Sequence, residues 1–342
     1  MCFMDNAKTI SEAKEVKVII FSKDRALQLD GVLRSLLLHC HGLEIARLNV
    51  LYLATNEIHI QQYRDLMQTY PMVNFYAEKN FRMDLLSMLD PFSKGSNAEK
   101  TYLRLCGIGQ LGFSVGSLFD RIWRRSFEYI QRSLVRSWMP SLCTNEYVVF
   151  LVDDNIFTKS FSLGSAIRVL EERRDLLGFS LRLGENVTYC YVKDMQQDLP
   201  VFTLADEGIL LFDWTKSELD FGYPLEISSS IYRLVDILPF VAGLPFATPN
   251  ELEDRMAFRA KTFQATHPYL GCYRRSVTFC NPVNKVQKVI SNRSGGNIHY
   301  GIDELADCFE RGERIRVKAY ADFVPSACHQ EVELFFERFR EK

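Results

Sequence analysis

Two rhythms of apolar residues alternate along this chain. Short runs of β-branched and aromatic residues read as buried strands, and between them apolar residues recur at i, i+3, i+4 and i+7, as on an amphipathic helix. Val16 to Phe21 is the first such run, and it ends at Ser22-Lys23-Asp24-Arg25. Leu29, Val32, Leu33 and Leu36 then fall at helical spacing. A second strand is predicted from about Leu48 to Ala54, closing at Thr55-Asn56, with a helix near Ile60–Tyr70 behind it. Pro71 stops that helix, and Val73 to Ala77 make a third strand. A β-α-β-α-β order implies right-handed crossovers and a parallel sheet.

From Lys79 to Leu142 the pattern is mostly helical, with a loop at Pro91 to Asn97. Then comes the most informative stretch. Tyr147 to Val152 is continuously apolar and stops at Asp153-Asp154-Asn155. A strand buried on both faces belongs in the middle of a mostly parallel sheet, and ligands of such sheets collect at the carboxyl ends of the strands. Adjacent acids repel, and a bound divalent cation offsets that repulsion, so the placement suggests a metal held against a phosphate. A plain polar turn is the other reading, since Asp and Asn favour turns. Further on, Leu163, Ala166, Ile167 and Leu170 predict a helix, and strands are expected at Gly178–Leu183 and Gly208–Trp214. Near the end, Val332, Phe335, Phe336 and Phe339 again fall at helical spacing and predict a C-terminal helix. No internal repeat or linker divides the chain, so one elaborated domain is expected.

Composition narrows the class. The 342 residues are 47% hydrophobic and 25% charged, as in an ordinary globular protein. A net charge of -2 gives no electrostatic reason to expect a nucleic-acid duplex as partner. No apolar run approaches the roughly 20 residues that span a bilayer. The N-terminus lacks a basic and apolar leader, and the nine cysteines show no zinc-like or paired spacing. Reduced thiols and a cytoplasmic location are the expectation.

The opening strand ending in Ile20-Phe21-Ser22-Lys23-Asp24-Arg25, its following helix, and the later Asp153-Asp154-Asn155 cluster together resemble the GT-A glycosyltransferases, especially those similar to glycosyltransferase family 2. The resemblance implies a GT-A-like single α/β domain, a Rossmann-like α/β/α sandwich whose mainly parallel central sheet is flanked by helices. It covers residues 16–301, with a nucleotide-binding half at about 16–157 and an acceptor half at about 158–301. A flexible N-terminus (1–15) would precede it and a C-terminal helical extension (302–342) would pack on it. The implied activity is metal-dependent transfer of a sugar from a nucleotide-sugar, a UDP- or GDP-sugar, to the hydroxyl of a saccharide or other acceptor. Ser22, Asp24, Arg25, Asn56 and Asp153 would lie around the nucleotide. Asp153, Asp154 and Asn155 would stand where the family's DxD motif grips Mn²⁺ or Mg²⁺ on the donor diphosphate. Asn155 departs from that motif by keeping an oxygen ligand while removing a charge.

The chemistry agrees with this placement, because breaking a sugar–phosphate bond leaves charge on a diphosphate that a hard cation neutralises. In inverting members of the family an acid at the start of a late helix takes the acceptor's proton, and Asp254 and then Glu253 match that position. Their competing reading is helix capping, with Asn250 as N-cap and Glu253 at N3. In the segment Glu226–Arg233, Ser229, Tyr232 and Arg233 suit acceptor recognition, or the serines cap the helix that follows. A Gly-rich loop from Asn292 to Gly301 offers His299 as a further metal ligand and Arg293 as phosphate charge. A nucleotidyltransferase of activated sugars would show glycine after the first strand, and none stands there; a binding module on a degenerate transferase fold is the non-enzymatic alternative.

Overall fold

The computed structural model describes residues 14–90, 146–206, 208–284 and 298–338. The helical stretch expected before residue 142 lies largely outside these, as do Arg293 and most of the Gly-rich loop. Nine strands form the central sheet: β1 (Glu15–Lys23), β2 (Ala46–Leu53), β3 (Asn74–Ala77), β4 (Glu146–Val152), β5 (Leu176–Ser180), β6 (Thr203–Asp206), β7 (Ile209–Asp213), β8 (Ser230–Arg233) and β9 (Tyr269–Tyr273). Their spatial order is β6-β7-β9-β5-β8-β4-β1-β2-β3. The β1–β2, β2–β3, β1–β4 and β5–β9 pairs are parallel. Only β8 and β7 run against the others. The sheet is therefore mainly parallel, as the fold class required.

Both faces of the sheet are covered, which explains the uninterrupted apolar strands. Along β1, Val16, Val18 and Ile20 enter one core while Ile19 and Phe21 enter the other. Along β4 the same alternation sends Tyr147, Val149 and Leu151 one way and Val148 and Phe150 the other. Helices α1 (Ala26–His39), α2 (Glu57–Thr69), α4 (Leu163–Glu172) and α7 (Ile302–Glu310) line the first core. Helices α3 (Phe81–Leu89), α5 (Leu234–Ala242) and α6 (Pro249–Arg259) line the second. Each fully buried Val, Leu or Phe side chain contributes roughly 1.5–3 kcal/mol, so this three-layer packing is the main source of stability.

Among the described residues the C-terminal helix expected from Val332, Phe335 and Phe336 does not form, and Phe339 lies outside them. Phe336–Arg338 is a strand paired antiparallel with Glu313–Ile315. Before it, side chains take over the backbone's partners: Asn281 bonds Val332 N–H and C=O, Tyr300 receives Leu334 N–H, and Tyr320 OH receives Phe335 N–H and donates to Glu333 C=O. Those bonds outcompete the helix that the spacing alone would favour. Among the described residues no helix is long and apolar enough to cross a membrane, and Cys40, Cys190, Cys272, Cys280, Cys308 and Cys328 are buried free thiols.

Candidate functional site

The carboxyl ends of β1 and β4 lie side by side because the strands are parallel neighbours, with Phe21 opposite Val152. The loop after β1 turns sharply at Asp24, whose φ of +55° is a left-handed conformation that Asp tolerates better than most residues. Asp24 is then clamped to the end of β2: its carboxylate accepts Thr55 N–H at 2.7 Å and Thr55 Oγ1 at 2.9 Å. Ser22 Oγ meets Tyr63 OH at 2.6 Å inside the protein. Asn56 serves as the N-cap of α2, accepting His59 N–H at 2.9 Å, and stays exposed. These bonds fix the loop that carries Arg25.

Arg25 is the centre of the first cluster. Its guanidinium donates to Asp153 Oδ1 at 2.9 Å and to Asn284 C=O at 2.7 Å, and it stands 4.0 Å from Asp154. Lys23 N–H adds a bond to Asp153 Oδ2 at 3.0 Å. Asp153 is thus pinned. Asp154 is held less firmly: its Oδ1 is buried with no hydrogen-bond partner, and a hydrogen bond from the neighbouring Cys280 thiol only partly offsets the burial of the carboxyl. Burial raises the Asp154 carboxyl to about 6, with Arg25 pulling it down and Asp153 pushing it up. Asn155 closes the turn, its Oδ1 accepting Val152 N–H at 2.9 Å and its Nδ2 donating to Cys280 Sγ, and it is 1% exposed. Its amide oxygen is already engaged.

A second cluster sits where β5 and β8 meet. Because β8 runs against its neighbours, its first residue, Ser230, lies beside the carboxyl end of β5 at Ser180, while Arg233 lies at the opposite edge, beside Tyr147. Gly178 in β5 makes room for the Tyr232 ring, since a Cβ there would come within 2.7 Å of it. The Tyr232 hydroxyl accepts Glu226 N–H at 3.0 Å and donates to its carbonyl at 2.9 Å, which sets the segment before β8. Glu226 Oε2 accepts Ser229 N–H, Ser228 N–H and Ser228 Oγ–H, while its Oε1 is buried without a partner. Arg182, 4% exposed just past β5, donates to Ser228 Oγ at 2.6 Å and lies 3.9 Å from Glu226.

Glu253 on α6 completes this cluster. Burial raises its carboxyl to about 7; Arg182 and the Ile227 N–H oppose the shift, and Glu226 and Asp254 add to it. The N-cap of α6 is Thr248, not Asn250: its Oγ1 accepts Glu251 N–H at 3.3 Å, and Glu251 Oε2 reaches back to Ala247 N–H at 2.8 Å. Glu251 therefore does the capping, and Glu253, two residues further on, faces inward. Asp254 points to solvent.

Of the expected residues, the structure brings together Ser22, Asp24, Arg25, Asp153, Asp154 and Asn155 in one cluster and Ser229 and Glu253 in the other. Tyr232 is fully buried and acts through its hydroxyl on Glu226. Arg233 is spent on the Leu170 and Leu176 carbonyls and on Asp236 at the far edge. His299 is exposed. Among the described residues no group of three or more His, Cys, Asp or Glu side chains converges as a metal cage. The sequence pattern assigns no role to Arg182, Glu226 or His329. Cys280 pairs with Asn155 on one side and bridges to His329 on the other, which draws His329 toward the clusters. Burial and Arg182 lower His329 to about 3, so its ring is neutral.

No family model matches the chain. It is 23% identical over 305 residues to the bifunctional glycosyltransferase pgtA of Dictyostelium discoideum, an alignment covering 81% of this chain and 33% of that protein. The chain thus spans about a third of the length of the curated relative it matches. Solved structures give looser likenesses, each at 10% identity: mouse xyloside xylosyltransferase 1 (TM-score 0.30, 75% of this chain and 96% of that one) and core-mannan synthase A of Aspergillus fumigatus in its Mn/GDP form (0.31, 87% and 83%). Scores of that size carry no argument, and the fold rests on the strand order and register described above. Across most of its length the chain is similar to a glycosyltransferase, in agreement with the resemblance read from the first strand and the paired acids.

Proposed function

We propose that this chain transfers a sugar from a nucleotide-sugar to an acceptor hydroxyl, with a divalent cation accompanying the donor diphosphate. The observation that carries the reading is the pair Asp153–Asp154 at the carboxyl end of β4, one acid pinned by Arg25 and the other holding a buried oxygen without a partner. The relative named as a glycosyltransferase supports the same class. Asp154 fits the cation as a single hard-oxygen ligand, the way Mg²⁺ is held by one or two carboxylates plus substrate phosphates and water. The residues fit an ion delivered with the diphosphate rather than a resident one. When bound, such an ion would neutralise charge on the departing diphosphate.

The chain's own residues do the rest. Ser22, Asp24 and Arg25 form the wall beside the nucleotide, and Asp153 keeps lone pairs for a ribose hydroxyl. Glu253 Oε takes the acceptor's proton. A carboxylate that titrates near neutrality suits this role, being ionised in useful amount while still basic enough to accept a proton. Glu253 faces inward and is half-buried, whereas Asp254 is exposed.

The test is calorimetry of UDP and GDP with and without Mn²⁺, on the natural chain and on Asp154→Asn. Binding that needs the metal and disappears in the variant is expected, with the melting temperature maintained. Equal binding by both proteins would remove Asp154 from the site. Failure of the natural chain to bind either nucleotide would overturn the transferase reading.

A further inference from the structure

Two cysteines far apart in the sequence meet at one carboxylate. Cys190 lies in a small hairpin, where Tyr189–Cys190 pairs antiparallel with Met195–Gln196. Cys328 lies in the segment that runs beside that hairpin. The Thr188 and Tyr189 N–H groups both donate to Ser326 C=O at 3.0 Å, and a little further along both segments the rings of Tyr191 and His329 lie 6.4 Å apart. The two segments therefore run in the same direction, and Cys190 falls beside Cys328 between those contacts.

Asp220 receives both thiols. Cys190 Sγ donates to its Oδ1 at 3.7 Å, and the Cys328 thiol also donates to the carboxylate. Gln197 fixes the acid from the other side, its Nε2 donating to Oδ2 at 3.1 Å and its Oε1 accepting the Asp220 N–H at 3.1 Å. A carboxylate is too small to keep two sulfurs bonded to it far apart. Burial pushes both thiols up, so neither stands as a thiolate at neutral pH and each needs a base before it reacts. Asp220 already accepts from both, and it is half-buried, so a proton it takes has a way out to solvent. Cys280 is another sulfur close by, its N–H donating to Cys328 C=O at 2.9 Å. Its side chain is engaged elsewhere, accepting from Asn155 Nδ2 and donating to Asp154.

We propose that Cys190 and Cys328 are a redox-active dithiol that a hydroperoxide closes to a disulfide, with Asp220 as the base. Cys190 attacks first, since it is 3% exposed against 0% for Cys328 and precedes the exposed Val192 and Lys193. Its sulfur bonds to one peroxide oxygen as the O–O bond breaks. The thiol proton passes through Asp220 to the leaving oxygen, and Cys190 is left as a sulfenic acid. Cys328 Sγ then attacks that sulfur: the S–S bond forms, the S–O bond breaks, and the Cys328 proton leaves with the hydroxide as water. Two electrons pass from the sulfurs to the peroxide. Closure draws the Cys328 thiol off Arg182 C=O, which it bonds at 3.8 Å, and so reaches the arginine of the second cluster.

The experiment treats the natural full chain with hydrogen peroxide, then denatures, alkylates and maps it by mass spectrometry. One intramolecular link between the Cys190 and Cys328 peptides is expected, reversed by dithiothreitol. The linked form should melt about 5–10 °C higher, because the bond closes a long loop of the unfolded chain. Cys190→Ser and Cys328→Ser should each abolish the link, and should one of them fail to fold, the other decides. Asp220→Asn should slow closure by at least about tenfold. A link between other cysteines, such as Cys280 with Cys328, overturns the proposal, as do sulfinic acid in place of a link and closure as fast in Asp220→Asn as in the natural chain. None of these readouts involves nucleotide binding, so their outcome is separate from that of the transferase reading.

Discussion

Two buried arginines stand at the same end of the sheet, each between two carboxylates, and they are used differently. Arg25 bonds directly to Asp153 at 2.9 Å and leaves Asp154 at 4.0 Å. Arg182 stays 3.9 Å from Glu226 and spends its nearest donor on Ser228 Oγ. Backbone and hydroxyl groups satisfy one Glu226 oxygen instead. In both places one acid is held and its neighbour is left to titrate near neutrality, Asp154 at about 6 and Glu253 at about 7. Burial is the leading cause in each case. Paired acids with divergent environments are the general means by which one site separates binding from proton transfer.

The largest effect expected from breaking this comparison is on turnover. Glu253→Gln should reduce it by about 10²–10⁴-fold while UDP or GDP affinity persists, and Asp254→Asn should change it little. Comparable losses in both would assign the base to Asp254 or to another group. The pH dependence sharpens the assignment. A base must be ionised, so kcat/KM should rise with pH through about 7 and level off above it. Stability runs the other way. The folded carboxyl titrates above its ordinary 4.5, so its contribution is complete below that pH and is lost as pH rises through about 7. Glu253→Gln should flatten that slope in thermal melts between pH 4.5 and 7.

Next in size is the difference between the arginines. Arg25→Met strands Asp153 without its partner and should destabilise the fold by about 3–5 kcal/mol, read from urea unfolding. Arg182→Met should cost less, because Glu226 keeps its neutral donors. Its mark should instead be kinetic: removing a positive charge that lowers the Glu253 carboxyl shifts the pH–rate limb upward. Equal destabilisation by the two substitutions, with the limb unmoved, would make both clusters mere ion pairs.

How much of this could be read beforehand depends on the range over which each feature is encoded. β1, β4 and the acids after them were legible because strand burial and strand end are written within a dozen consecutive residues. The partner of Asp153 was not a matter of sequence neighbourhood: Arg25 was expected only beside a nucleotide, and the parallel strands, by bringing both carboxyl ends together, pair it with Asp153. Arg182 and Glu226 were missed for the opposite reason. They meet only because β8 is inserted antiparallel, and nothing within Ser230–Arg233 announces that direction. The same reversal carries Arg233 to the far edge of the sheet. His329 reaches the site through Cys280, which no local pattern shows. At the C-terminus, the spacing of Val332, Phe335 and Phe336 was genuine but lost to bonds from Asn281, Tyr300 and Tyr320.

The smallest predicted effect separates structure from chemistry on α6 itself. Asn250 and Glu253 have the spacing of a capping pair, so Glu253 had a purely structural explanation. The helix begins two residues earlier than that pairing needs: Pro249 occupies its first turn and Thr248 is the cap. Pro suits that position because its missing N–H is one the helix could not have used. Thr248 and Glu251 then take the Glu251 and Ala247 N–H groups, while Glu253 turns instead to the Ile227 N–H. Thr248→Ala should lower stability by about 1 kcal/mol and leave turnover near normal. Glu251→Ala should behave alike, by no more than that amount. Glu253→Gln should show the reverse, lost turnover with the fold kept or strengthened at pH 8. A stability loss at Glu253 matching that at Thr248, with turnover intact in both, would return Glu253 to the helix cap and remove it from catalysis.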